Sequence, residues 1–97
     1  MEYEVYLENC GNPDHGQDPN RSLPGTESGF WVPAETPQDA AKIVRDYIDE
    51  NDLGGGNWAG GEVRHLESKV TAGKISYNGR YWPAEDAPTA GPTPGMR

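Results

Sequence analysis

The sequence holds one cysteine, few cations and no long apolar run, and each shortage removes a class of protein. With Cys10 alone, no disulfide can form within the chain, so the fold does not depend on an oxidising compartment. No apolar stretch approaches the roughly 20 residues of a membrane span. The opening Met1-Glu2-Tyr3-Glu4 is acidic and lacks the basic region and apolar stretch of a secretory signal, so a cytoplasmic location is expected. Only 8 basic residues stand against 16 acidic ones, a formal charge of -8. A field of that sign repels phosphate and attracts basic surfaces. Direct DNA or RNA binding through a broad basic face is therefore disfavoured. A protein partner suits the same charge, including a nucleic-acid-handling protein met by imitating phosphate.

Apolar residues are also scarce, at 33% of 97 residues, which suits one domain with a thin core. The three tryptophans and five tyrosines must then supply much of the buried area, since one large aromatic buries roughly 150–250 Å².

Periodicity places the elements. In Tyr3 to Glu8, Tyr3, Val5 and Leu7 alternate with Glu2, Glu4, Tyr6 and Glu8, which predicts a strand with one buried face and one acidic, wet face. Asn9 to Ser28 reads as a long loop rich in Pro, Gly, Asn and Asp. Phe30-Trp31-Val32, closed by Pro33, fits a short strand at a sheet edge. Thr36 then caps a helix that opens on Pro37 and Asp39. Ala40, Ile43, Val44, Tyr47 and Ile48 share its apolar face, and the helix ends near Asn51, before Gly54-Gly55-Gly56. Lys42 and Asp46, and Arg45 and Asp49, are spaced to pair one turn apart.

Beyond a glycine-rich connector around Trp58, Glu62 to Val70 reads as a strand with Val63, Leu66 and Val70 as its apolar points. Those points break a period of two, so a bulge or a turn near Ser68 is required. Asn78-Gly79 predicts a two-residue hairpin turn, which sets Tyr77 against Arg80 and Ile75 against Trp82. Ile75 and Trp82 then cover the helix, while Tyr81 points outward. Residues 83–97 are mostly Pro, Gly, Ala and Thr with almost no bulky apolar residue, and read as a disordered tail. The expected fold is α+β: residues 1–82 form one domain, an amphipathic helix on a small antiparallel sheet of three to five strands, in a β-α-β-β-β meander.

Chemistry has few candidates. Cys10 and His15 lie at or inside the long loop, where nothing local fixes their geometry for nucleophilic catalysis. Cys10, Asp14, His15, Asp18 and His65 are metal-ligand types, but their spacing matches no zinc or calcium pattern. The string Gly54-Gly55-Gly56-Asn57-Trp58-Ala59 follows a helix, whereas a dinucleotide loop follows a strand and opens a helix. No catalytic residue, metal or cofactor is expected. What remains is surface. Asp46, Asp49, Glu50 and Asp52 crowd the end of the helix, against its dipole. Trp31, Trp58 and Tyr81 are aromatics of the kind that anchor protein interfaces, or that fold back as lids on a thin core. Stacking on single-stranded nucleic acid is disfavoured by the charge balance, since only Arg64 and Arg80 lie near the expected sheet. These seven are the candidate partner-binding residues.

The strand, the capped helix from Thr36-Pro37 to Glu50, the Gly-Trp connector and the closing Ile75-Ser76-Tyr77-Asn78-Gly79-Arg80-Tyr81-Trp82 resemble small phage-encoded anti-CRISPR inhibitors in order and size. The resemblance implies a non-enzymatic protein that binds a CRISPR effector and blocks DNA recognition or nuclease recruitment. A general interaction module using the exposed aromatics is the alternative. A small metal-dependent enzyme built on Cys10, His15 and His65 is the third reading.

Overall fold

The computed structural model describes residues 1–84. Five strands and one helix follow in the order β1 (Tyr3–Leu7), β2 (Phe30–Ala34), α1 (Pro37–Glu50), β3 (Glu62–His65), β4 (Thr71–Ile75) and β5 (Tyr81–Pro83). The strands form one antiparallel sheet in the order β2-β1-β3-β4-β5. The α+β architecture is as expected, one helix on an antiparallel sheet. Two strands precede the helix rather than one, because Phe30–Ala34 pairs along the whole of β1. The chain is thus no simple meander: β1 lies inside the sheet between β2 and β3, and β2 takes the edge. Pro33 lies on that edge strand, and Pro83 lies on the other, β5. A proline offers no N–H to an incoming strand, so both edges resist further pairing.

The helix begins as its sequence dictates. Thr36 Oγ1 accepts the Asp39 N–H at 3.0 Å, and Pro37 opens the first turn. Ala40, Val44, Tyr47 and Ile48 are buried against Val5, Leu7, Ala34, Val63 and Ile75 of the sheet. Each fully buried aliphatic side chain contributes about 2 kcal/mol. Leu53, just past the helix, closes the same core.

Three local expectations change. Glu62 to Val70 is two elements: β3 stops at His65, a turn follows, and Val70 is 59% exposed before β4. The pairing also shifts at Val63/Arg64, so both the bulge and the turn are present. The closing hairpin is one residue longer in its turn. Of its turn residues only Gly79 takes positive φ, at 86°, and Ser76 N–H donates to Arg80 O at 3.0 Å. The connection is therefore a three-residue loop, a turn closed by a left-handed glycine, and not the two-residue form. Its cause is the helix: Arg45 donates to Tyr77 O at 2.7 Å, and the Tyr77 hydroxyl donates to Leu53 O at 3.0 Å. The extra residue shifts the register, so Ile75 faces Tyr81 and Lys74 faces Trp82. Finally, the boundary at residue 82 moves: Pro83 belongs to β5, and Ala84 N–H donates to Ala72 O at 2.9 Å. The rest of the expected tail lies outside the described residues.

Candidate functional site

The long loop is tied down by a buried asparagine. Asn9 is 2% exposed at the end of β1. Its side-chain Oδ1 accepts Leu23 N–H at 2.7 Å, and its Nδ2 donates to Thr26 Oγ1 at 2.9 Å and to the Tyr47 hydroxyl at 2.8 Å. Tyr47 in turn donates to Glu27 O. One neutral amide thus joins β1, the loop and the helix, with donor and acceptor both satisfied. Burial pushes the Tyr47 phenol up, and the nearby Glu8 and Glu27 charges add to it, against the hydrogen bonds from Asn9 and Ser28. A second buried amide, Asn57, donates to Cys10 O at 2.9 Å and to Gln17 Oε1 at 3.2 Å, and so fastens the glycine connector to the same loop.

This latch shapes a groove. Residues 25–30 are held beside the helix, and a hollow of about 450 Å³ lies between them, lined by Leu7, Phe30, Ile43, Glu27, Asp46 and Glu50 among others. Ile43, Asp46, Tyr47 and Glu50 recur at helical spacing, which brings them to one side of α1. Half-buried Phe30 and Ile43 give an apolar floor, and the exposed Glu27, Asp46 and Glu50 give an acidic rim. The larger hollow, about 820 Å³, is walled by residues 17–26 of the loop and Gly11, and charged groups do not converge on it beyond Asp18 and Arg21.

The four helix-end acids are thereby divided. Asp46 joins the groove and is paired with Lys42 at 3.1 Å. Glu50 joins it with no salt bridge among the described residues. Asp49 is paired with Arg45 at 3.1 Å, on the side that meets the hairpin. Asp52 follows the helix in a left-handed conformation, φ 55°. Glu27 was invisible as a partner residue in the sequence, because the loop fold that places it depends on Asn9.

The opposite sheet face has another character. The β1 carboxylate expected in water, Glu4, is only 7% exposed. Arg64 from β3 binds it through Nε, and Lys69 from the following turn reaches it at 3.0 Å. Burial alone would raise its carboxyl. The hydrogen bonds and charges of Lys69 and Arg64 outweigh that and hold it below the ordinary glutamate value. The Arg64 guanidinium also lies 3.6 Å from the Trp31 ring centre. Trp31 contacts Tyr6 at 5.0 Å between ring centres.

Comparison with known protein families, characterised proteins and solved structures finds no match to this chain. Its function has to be read from its own residues.

The three aromatic anchors fare differently from their expectation. Trp31 is half-buried under Arg64. Trp58 is half-buried against the core, 6.0 Å from Tyr47 between ring centres, and its Nε1 donates to Ile75 O at 3.3 Å. Tyr81 turns inward with Ile75: its ring lies over Gly73, where a Cβ would come within 2.6 Å of it, and its hydroxyl donates to Ala72 O at 3.0 Å. Trp82 takes the outward place that register had reserved for Tyr81.

Cys10 and His65 lie at opposite ends of β1. His65 faces Tyr3, while Cys10 follows Asn9 with its Sγ 3.7 Å from Gly56 O. The seven steps of extended chain from Tyr3 to Cys10 span roughly 23 Å. His15 is exposed in a short 3-10 turn, Pro13–His15. Among the described residues, no three His, Cys, Asp or Glu side chains gather as a metal site, and no helix is long and apolar enough to cross a membrane. Gly55–Asn57 is a 3-10 turn that leads into an extended Trp58, not into a helix that could face a phosphate.

Proposed function

We propose that this chain is a small non-catalytic protein-binding domain, working in the cytoplasm, that grips a basic surface with the groove between α1 and residues 25–30. One observation carries this: Glu27, Asp46 and Glu50 rim an apolar floor of Phe30 and Ile43, held open by a buried hydrogen-bond latch. An apolar contact ringed by carboxylates suits a segment in which Lys or Arg flank one apolar side chain. The rim charges would steer and select, and the floor would hold. Nucleic-acid-handling proteins offer such basic surfaces. Occupying one would exclude its phosphate ligand, so the domain acts as an inhibitor by charge mimicry. A CRISPR effector is the machine that the resemblance to anti-CRISPR proteins singles out.

The test is affinity capture from host lysate with the wild type and with Glu27→Lys/Asp46→Lys/Glu50→Lys in parallel. The expected result is a basic, nucleic-acid-binding protein that the wild type retains, the variant loses and added salt releases. A partner retained equally by both chains, at low and high salt, would refute the groove.

A further inference from the structure

The open face of the sheet gathers half of the chain's cations among about as many carboxylates, so it is close to neutral where the whole chain is acidic. Its side chains form two rows across the strands. In the first, Trp31 faces Tyr6, Glu62 faces Lys74, and Lys74 faces Trp82. Tyr6 adjoins Glu62 because Val5 faces Val63 one position earlier. That row crosses all five strands, four inter-strand steps or roughly 19 Å. In the second row Glu4 faces Arg64, and Arg64 faces Thr71. Lys69 reaches the same face through Glu4, and Arg80 reaches it by lying 4.1 Å from the Trp82 ring centre. Arg64, Lys69, Lys74 and Arg80 are thus half of the chain's 8 basic residues, gathered around Glu4 and Glu62. Glu4 is spent on Arg64 and Lys69, and Glu62 accepts the Thr71 hydroxyl at 2.6 Å. Glu2 and Glu67 lie together at the β3–β4 turn and bound the basic area on that side.

We propose that this face binds single-stranded nucleic acid. An acidic protein segment would satisfy the cations alone. A single strand satisfies both halves of the pattern. Its phosphates match Arg64, Lys69, Lys74 and Arg80, and its bases match Tyr6, Trp31 and Trp82. Bases stack on aromatic rings and on the flat guanidinium of an arginine, and Trp31 and Trp82 each carry a guanidinium. Between them lies a shallow hollow of about 370 Å³ lined by Tyr6, Gly60, Glu62, Thr71, Gly73 and Lys74, in which the Glu62 carboxylate is held by the Thr71 hydroxyl. Duplex DNA keeps its base faces stacked inside the helix and cannot offer them to these rings. The charge of -8 belongs mostly to the other side of the molecule, so binding is local and modest. The proposal goes beyond the groove and does not depend on it: a domain that holds a nucleic-acid machine on one side would meet that machine's single strand on the other.

The experiment is fluorescence polarisation of labelled oligothymidylate with the full chain, at salt from about 50 to about 200 mM. Binding is expected at low salt, with a log–log salt slope no steeper than about -2.8, the limit for four cations on a single strand. Trp82→Leu should weaken binding about tenfold at unchanged salt slope. Lys74→Gln/Arg80→Gln should flatten the slope by about 1.4. Urea unfolding checks that each variant is folded. Should Trp82→Leu fail to fold, quenching of tryptophan fluorescence by oligothymidylate supplies the stacking readout, and Lys74→Gln/Arg80→Gln supplies the electrostatic one. No polarisation change at low salt overturns the proposal. So does duplex binding as tight as single-strand binding. Displacement by polyglutamate as efficient as by unlabelled oligothymidylate, with neither a Trp82 effect nor quenching, assigns the face to acidic proteins instead. Self-association of the chain without oligothymidylate binding assigns it to a second copy.

Discussion

The two sides of this domain solve the same problem, a polar group that must be buried, in opposite ways. On the helix side a neutral amide, Asn9, is surrounded by neutral partners, and the charges stay outside on Glu27, Asp46 and Glu50. On the sheet side a carboxylate, Glu4, is itself buried, and cations and an indole are drawn in over it. The neutral solution makes a rigid latch that is indifferent to salt and to acid. The charged one makes a network that acid can open. The difference also shows what an average conceals: a net charge of -8 describes the helix side and misdescribes the sheet face.

Removing each buried group gives the sharpest contrast. Asn9→Ala should have the largest effect. It strands Leu23 N–H and removes an amide partner from Thr26 and Tyr47, so a loss of about 3 kcal/mol is expected from urea unfolding. Proteolysis within residues 17–26 should accelerate with it, because this latch is what orders the loop. A loss below about 1 kcal/mol would mean that the loop is held by something else.

Glu4→Gln should cost less, about 2 kcal/mol, because Lys69 and Arg64 keep partial access to water. Its signature is the pH profile. The carboxyl is lowered in the folded state, so its contribution is present above the ordinary glutamate value of about 4.3 and is lost as pH falls through the folded value. Wild type should therefore lose stability on acidification below that point, with a shallower acid limb in Glu4→Gln. Equal acid limbs would remove the charged half of the contrast. At the other end of the scale, Tyr47 is raised in the folded state. Its contribution is present below about pH 10 and is lost as pH rises through the folded value. Tyr47→Phe should flatten that alkaline limb and leave the acid one unchanged.

The sequence made some of this legible. Thr36, Pro37 and the apolar spacing of α1 fix the helix, since capping and amphipathicity are local properties. The alternation of Tyr3 to Leu7 fixes β1, and Pro33 marks an edge. What stayed hidden depends on partners distant in the chain. Glu4 reads as wet until Arg64 and Lys69 arrive from about 60 residues away. Asn78-Gly79 reads as a tight turn until Arg45 claims Tyr77 O, and that one residue exchanges the faces of Tyr81 and Trp82. Of the candidate site, Asp46 and Glu50 were legible from the helix and Glu27 was not. No local pattern announces that a loop carbonyl will meet Tyr47.

The smallest expected effect separates binding from folding. Glu50 occupies the last turn of α1, where the backbone carbonyls already concentrate negative charge and no basic residue offsets it. Asp46 and Asp49 in the same stretch each have a lysine or arginine one turn back, whereas Glu50 has no salt bridge among the described residues. Glu50→Lys should therefore stabilise the fold, by about 0.5 kcal/mol, because it turns an unfavourable dipole interaction into a favourable one. The same change puts a cation on the rim shared with Glu27 and Asp46, and should weaken capture of a basic partner. A carboxylate kept for folding would show the reverse, lower stability with binding unchanged. The two readouts, urea midpoint and partner capture, must move in opposite directions if this end of the helix is a surface built for recognition.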